Sequence, residues 1–299
     1  MSDLTVLFQA PELNLQLVVD GVLTGAIFAL AAYGMALVWG VMNLINVAQG
    51  EFVMLGGYAV IGLHAQGVPL TLAVPAAAAV LFVTGWVLYR VVIFRVVERD
   101  LFTSVLATFG LSIVMQQLAN EAFGANIRTI DAGLGSAILA GGMLAVSRVK
   151  LIAFAAALVV GGALLLFLRH SRLGRAIRAT AQNGRAARVL GIDTDRVYAA
   201  TFALNAAICG AAGGLVAMTW IVHPYLGLPY TVRAFMIVVV AGLGNMLPVL
   251  AAGSALGIVE NYAGFVLGTE YQTAFLYALL VVILICRNQM LRRQRRYLR

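Results

Sequence analysis

Charge is what this 299-residue chain has least of: 11% of its residues are Asp, Glu, Lys or Arg, against 62% apolar, where a globular domain carries roughly 25% charged residues. That scarcity excludes a soluble domain and leaves an integral membrane protein. Cysteine is scarce as well. Cys209 and Cys286 both fall in uncharged runs, where a thiol packs as a small apolar group, so no disulfide is expected. The signatures G-x-x-x-x-G-K-[ST], H-E-x-x-H and G-x-S-x-G are all missing, and His64, His170 and His223 are scattered, so nothing points to an enzyme. His223, beside Pro224, reads as a loop histidine and not as a ligand. The start of the chain carries Asp3, Glu12 and Asp20 in place of a basic leader, which predicts insertion without processing.

What is present is a series of long uncharged runs, at 21–50, 52–89, 101–120, 151–168, 197–232, 234–259 and 271–286. Several exceed the ~20 residues a helix needs to cross hydrocarbon. They are rich in Ala, Leu, Gly and Val without two-residue alternation, so helices and not barrel strands carry them. As one helix the 52–89 run would be about 57 Å long, too long for one crossing. It must turn back, and His64–Pro69, with Gly67, is the natural place. Residues 119–150 and the segment HPYLGLPY at 223–230 read as external loops. Crossings are expected near 15–40, 52–65, 70–92, 101–118, 151–169, 197–222, 234–247, 249–267 and 271–287. The fold class is therefore an all-α polytopic membrane protein of eight or nine transmembrane helices, forming a single domain over 1–299.

The net charge of +8 is concentrated: seven arginines and no lysine lie at 169–196, and six arginines lie at 287–299. Such placement argues for topology and not for nucleic acid. By the positive-inside rule both segments are cytoplasmic, as is the connection with Arg90, Arg95 and Arg99. The tail at 287–299 reads chiefly as a contact with anionic lipid.

Two segments read as broken helices. They are GVMNLINVAQG, from Gly40 to Gly50, and GLGNMLPVLAAG, from Gly242 to Gly253. In each an Asn, Asn43 or Asn245, precedes a Val by four residues. This is either an internal repeat with discontinuous helices or a chance likeness of Gly-rich segments. Asn43, Asn46, Gln49 and Glu51 cluster at the end of the first span. Polar groups at membrane depth face protein or a water-filled path, so these four either line a permeation path or tie helices together by hydrogen bonds. Glu260, with Asn261, interrupts an apolar stretch, and its expected partner is Arg233 or a helix N-terminus. Asn205, among small residues, reads as a packing amide.

The arginine segment has its own grammar. Arg185-Ala186-Ala187, three residues and then Gly191 resemble the E-A-A-x-x-x-G loop of ABC importers, with Arg in place of Glu, where a short helix ends at a Gly able to adopt positive φ. The rival reading is a basic helix adsorbed on anionic lipid. Five stretches, at 21–58, 106–120, 171–215, 224–244 and 257–284, cover about half of the chain. They resemble, in order, the membrane-permease subunits of the branched-chain amino acid ABC importer family. The most specific motifs are I-N-x-A-x-G-E at Ile45–Glu51 and the loop reaching Gly191, Ile192 and Thr194.

The resemblance implies a heteromeric importer of a bacterial inner membrane: a second related permease, two cytoplasmic ATPase subunits that carry ATP and Mg, and an external substrate-binding protein. This chain would hold no cofactor of its own. Arg178, Ala179, Arg185, Ala186, Ala187, Gly191 and Ile192 would form the coupling segment, and Asn43, Asn46, Gln49, Glu51, Asn245 and Glu260 would be path candidates. Departures from the family pattern fall on the path. Gln49 stands for a usual His, Met246-Leu247-Pro248-Val249 for a Ser and a Pro-Gly-Ala, and Cys286-Arg287-Asn288 for a Pro-Thr-Gly. The expected solute is an amino acid of the branched-chain type, and because the departures fall on the path, urea, short amides and other amino acids stand as alternatives. A stand-alone secondary transporter or channel using Glu51 and Glu260 as ion sites, and a membrane scaffold, are rivals from other classes.

Overall fold

The computed structural model describes residues 10–139, 144–242 and 246–297, with no side-chain detail beyond 289. Eleven helices are described: α1 (Pro11–Met42), α2 (Gln49–Ala65), α3 (Leu70–Val91), α4 (Leu101–Phe123), α5 (Arg148–His170), α6 (Arg172–Gln182), α7 (Gly184–Val189), α8 (Thr194–Thr219), α9 (Gly227–Ala241), α10 (Met246–Leu267) and α11 (Gln272–Tyr297). Seven of them are long and apolar enough to cross a membrane. At one end of the bundle β1 (Ser136–Leu139) and β2 (Leu144–Ser147) pair as an antiparallel hairpin, with Ser136 opposite Ser147. At the other end lie α6 and α7, the arginine face.

α1 is apolar all round and sits at the centre of the bundle, 94% buried over its most apolar window, as expected of a helix surrounded by other helices. It packs against α8, α5, α9 and α10. Its contact with α10 places Gly21 and Gly25 against Gly253 and Gly257, where any Cβ would meet backbone atoms of the facing helix. Small residues that let backbones approach are the usual adhesive between helices in lipid, where no hydrophobic gain is available. α4 and α11 pack only along one side and leave rows such as Phe102, Leu106 and Phe109 exposed. Those rows are compatible with lipid.

The turn between α2 and α3 falls at Gln66–Pro69, as the run length required. The segment read as an external loop with one short interfacial element at 119–150 holds the end of α4, which runs to Phe123, and the hairpin. Gln16 of α1 bonds the hairpin both ways, its Nε2 donating to Ala145 O at 2.7 Å and its Oε1 accepting from Ala145 N at 3.2 Å.

Three expectations need correction. First, 52–65 and 234–247 are not full crossings. α2 has 17 residues and α9 has 15, about 25 Å and 22 Å at 1.5 Å per residue, short of a ~30 Å core. Second, HPYLGLPY is not wholly loop, because α9 already begins at Gly227. Pro229 is compatible with this, since a first helical turn needs no proline N–H. Third, the second helix break lies at Gly242, φ +80°, while α10 runs unbroken from Met246 past Pro248 and Gly253. The first break is where it was expected: α1 stops at Met42 and Asn43 takes the left-handed conformation, φ 49°. Asn245 lies outside the described residues.

Candidate functional site

The break after α1 turns the chain back into the bundle. Gln49, the first residue of α2, donates from Nε2 to Ala31 O at 2.9 Å, and Ala31 lies roughly 16 Å along α1 from its Met42 end. α2 therefore starts inside the protein and runs to the hairpin face. α9 starts at the same depth and runs to the arginine face, since Gly50 N donates to Thr231 Oγ1 at 2.8 Å and Thr231 Oγ1 to Val47 O at 3.0 Å. Two half-length helices thus meet N-terminus to N-terminus. Each such end carries partial positive charge and free N–H groups.

Glu51 lies in that junction, fully buried. Its Oε1 accepts from Ser112 Oγ at 2.9 Å and from Gln116 Nε2 at 2.7 Å, while Oε2 has no hydrogen-bond partner among the described residues. The carboxylate rests on Gly227, where any Cβ would collide with it. Gly is required there by close approach. Asn46 and Gln49 are also fully buried. Asn46 Nδ2 donates to Gln49 Oε1 at 3.3 Å, and Gln49 Nε2 to Asn205 Oδ1 at 2.8 Å. These amides cross-link α1, α2 and α8, as Asn205 was expected to do, while Asn43 is exposed at the arginine face.

The polar stripe of α4 was not singled out from the sequence. Ser104, Thr108, Ser112 and Gln116 recur every four residues, which puts them on one helix face. Thr108 Oγ1 accepts from Val47 N and donates to Ile45 O, both at 3.2 Å, holding the unwound segment. That spacing was the signal available.

Of the two partners expected for Glu260, the structure supplies Arg233. Arg233 Nε donates to Oε1 at 3.0 Å and Oε2 at 3.1 Å, and Nη2 also donates to Oε1. The side chains are 14% and 2% exposed, and the guanidinium lies 4.8 Å from the Phe28 ring centre and 5.2 Å from that of Tyr230. The pair lines a cavity of about 700 Å³ in the half of the bundle toward the hairpin face, together with Asp20, Lys150, Thr24 and Trp220. The first turn of α9 separates this cavity from Glu51. His223, in the loop ahead of α9, accepts from Tyr225 N at 3.3 Å, and burial holds its imidazole below the ordinary range.

The arginine face contains two short helices where one was expected. Ser171 caps α6 through Gly174 N at 2.7 Å, and Asn183 caps α7 through Ala186 N at 3.0 Å. Gly191 follows with φ +86°, the left-handed turn that favours glycine. Arg178, Arg185 and Ala186 are exposed, Ala179 and Ile192 half-buried, and Ala187 buried. Val189 and Leu190 are 87% and 82% exposed. Arg188 bonds Glu98 of the α3–α4 connection and Thr194, and the Glu98 carboxylate raises its pKa above the usual guanidinium value. Among the described residues no group of three or more His, Cys, Asp or Glu side chains gathers to hold a metal ion.

Two half-length helices abutting inside a bundle of long apolar ones, with buried polar groups at the junction, define a multi-pass membrane permease. The chain belongs to the family described as "Branched-chain amino acid transport system / permease component", whose model matches residues 17–284. It is similar to the high-affinity branched-chain amino acid transport system permease protein LivH of Escherichia coli (strain K12), 30% identical over 285 residues that cover 91% of this chain and 92% of LivH. It is also similar to the permease protein BraD of Pseudomonas aeruginosa, 29% identical over 291 residues, with 91% and 94% covered. No solved structure matches the chain.

Proposed function

We propose that this chain is one permease subunit of an ATP-driven importer that moves a branched-chain amino acid inward across a bacterial inner membrane. It acts with a second related permease, two cytoplasmic ATPase subunits that bind ATP and Mg, and an external binding protein. The observation that carries this reading is the family match over residues 17–284. The geometry gives it a mechanism. Thr231, bonded to Gly50 N and Val47 O, holds the two helix N-termini together beside the buried Asn46, Gln49 and Glu51, so a displacement of α9 against α2 would open or close the route there. α9 ends at the arginine face, where Arg287 of α11 also bonds Val239 O. An ATPase seated on Val189, Leu190 and the arginines around them would reach the junction through α8, which packs on α6 and α7 and carries Asn205, the partner of Gln49.

The charge distribution supports an orientation. α11 returns its C-terminal end to the arginine face, and by the positive-inside rule that face is cytoplasmic. Burial of Asn46, Gln49 and Glu51 favours a closed junction, with Glu260 lining the vestibule on the external side. Co-expression with the ATPase subunits and reconstitution into liposomes tests the proposal. Uptake of labelled L-leucine should require ATP, the ATPase subunits and the binding protein, and uptake by this chain alone would refute it.

A further inference from the structure

We propose that the cavity between α1, α5, α9, α10 and α11 is a binding site for a zwitterionic solute, held between Asp20 and Lys150. This rests on the transport reading above and adds to it the site and the groups that would hold the solute. The cavity, about 700 Å³, is lined by two ion pairs of very different rigidity. Arg233–Glu260 is fixed by three hydrogen bonds and two aromatic faces. Lys150–Asp20 is looser: Lys150 Nζ contacts both Asp20 oxygens at 2.7 Å, but the side chains are 16% and 31% exposed, and an ammonium makes no fork geometry. It is the pair that a solute can part.

Two further observations point to a ligand. Thr24, 6% exposed and lining the cavity, has a hydroxyl without a hydrogen-bond partner among the described residues. A buried hydroxyl left unpaired costs free energy until something binds it. The Trp220 ring lies 5.7 Å from Lys150 Nζ and lines the same space, giving an apolar wall beside the charges. Asn261 Nδ2 approaches Asp20 Oδ2 at 3.4 Å, which keeps the carboxylate in place if the ammonium swings away.

Charge balance excludes a singly charged ligand, and an uncharged one that parts Lys150 from Asp20 leaves both charges without partners, so a zwitterion fits the cavity. Both pairs sum to zero, so an anion or a cation entering the cavity leaves one buried charge uncompensated, which is costly. A molecule bearing one ammonium and one carboxylate leaves none. Its carboxylate takes Lys150 and the Thr24 hydroxyl, its ammonium takes Asp20, and an aliphatic side chain lies against Trp220.

Lys150 is the one lysine of the chain, so reductive methylation with carbon-13 formaldehyde labels it and the N-terminal amine alone, preserving both charges. In the full-length chain in lipid nanodiscs, L-leucine should shift the dimethyl-Lys150 signal saturably while the N-terminal signal stays still. 4-Methylpentanoate and isopentylamine, which each lack one charge, should bind at least ten-fold more weakly. Thr24→Val, which preserves shape, should weaken leucine binding about ten-fold without lowering the thermal midpoint, and Asp20→Asn should weaken it further. No saturable shift up to 100 mM leucine, equal binding of either half-molecule, or unchanged binding in Thr24→Val would overturn the site. ATP-dependent leucine uptake by the assembled importer separates the two ideas. Uptake without the shift removes the site alone, and the shift without uptake removes the transport reading.

Discussion

Arg233→Met isolates the cost of the most buried charge pair in the bundle. The variant keeps most of the apolar stem but leaves the Glu260 carboxylate, 2% exposed, without the three hydrogen bonds that Arg233 donates. Breaking a buried pair from one side costs about 3–5 kcal/mol, and loss of the stacking on Phe28 and Tyr230 adds roughly 0.5–2 kcal/mol. The sum is a large share of a typical folding stability of ~5–15 kcal/mol. Arg233→Met/Glu260→Leu removes both charges and should come back to within about 1 kcal/mol of the parent, because no ion is left uncompensated. Glu260→Leu leaves the Arg233 guanidinium unpaired at a similar cost of about 3–5 kcal/mol, so the completed cycle should show a favourable interaction of at least about 5 kcal/mol. SDS titration in mixed micelles, followed by the fluorescence of Trp39, Trp86 and Trp220, reads each stability. If Arg233→Met unfolds within about 0.5 kcal/mol of the parent, Glu260 is solvated or neutral and the argument from burial is wrong.

Other substitutions separate the junction from the coupling face. Gly227→Ala puts a methyl group into the Glu51 carboxylate and should cost about 1–3 kcal/mol, read by the same titration, with leucine uptake falling in step. Ser112→Ala with Gln116→Leu removes both donors to Glu51 Oε1. At about 1.5–3 kcal/mol for each bond to a charged group, that pair should destabilise more than Gly227→Ala, and equal stability would show other partners for the carboxylate. Gly191→Val forces a β-branched residue into φ +86°; the local strain of at least ~1–2 kcal/mol should leave membrane insertion intact while ATPase activity in the assembled importer no longer drives uptake. Val189→Asp with Leu190→Asp alters side chains that are 87% and 82% exposed, so the melting profile should hold while co-purification of the ATPase subunits is lost.

Much of the architecture was legible because lipid imposes it. Apolar runs give the long helices, and run length alone requires the reversal at Gln66–Pro69. The Arg233–Glu260 pair was legible for the same reason, since a carboxylate in an apolar stretch must find a cation. The half-length helices were less so. Pro224, Gly227 and Pro229 look like loop punctuation, and the close approach of Gly227 to Glu51, which requires a glycine in the first turn of α9, is a tertiary contact that the local sequence does not display. Glu51 was visible as a polar residue in a span, but its surroundings were not, because Ser112 and Gln116 come from a helix 61 and 65 positions away. Asn43 was grouped with Asn46 and Gln49 by sequence proximity. The helix break separates them, leaving Asn43 exposed and the other two buried.

On the proposed function this polypeptide is a gate worked by a separate motor. Proteoliposomes containing the two permeases, supplied with the external binding protein and labelled L-leucine, test it most directly when prepared with and without the ATPase subunits. Concentrative uptake only when both ATPase and ATP are present is the predicted result; uptake against a gradient without them would contradict it.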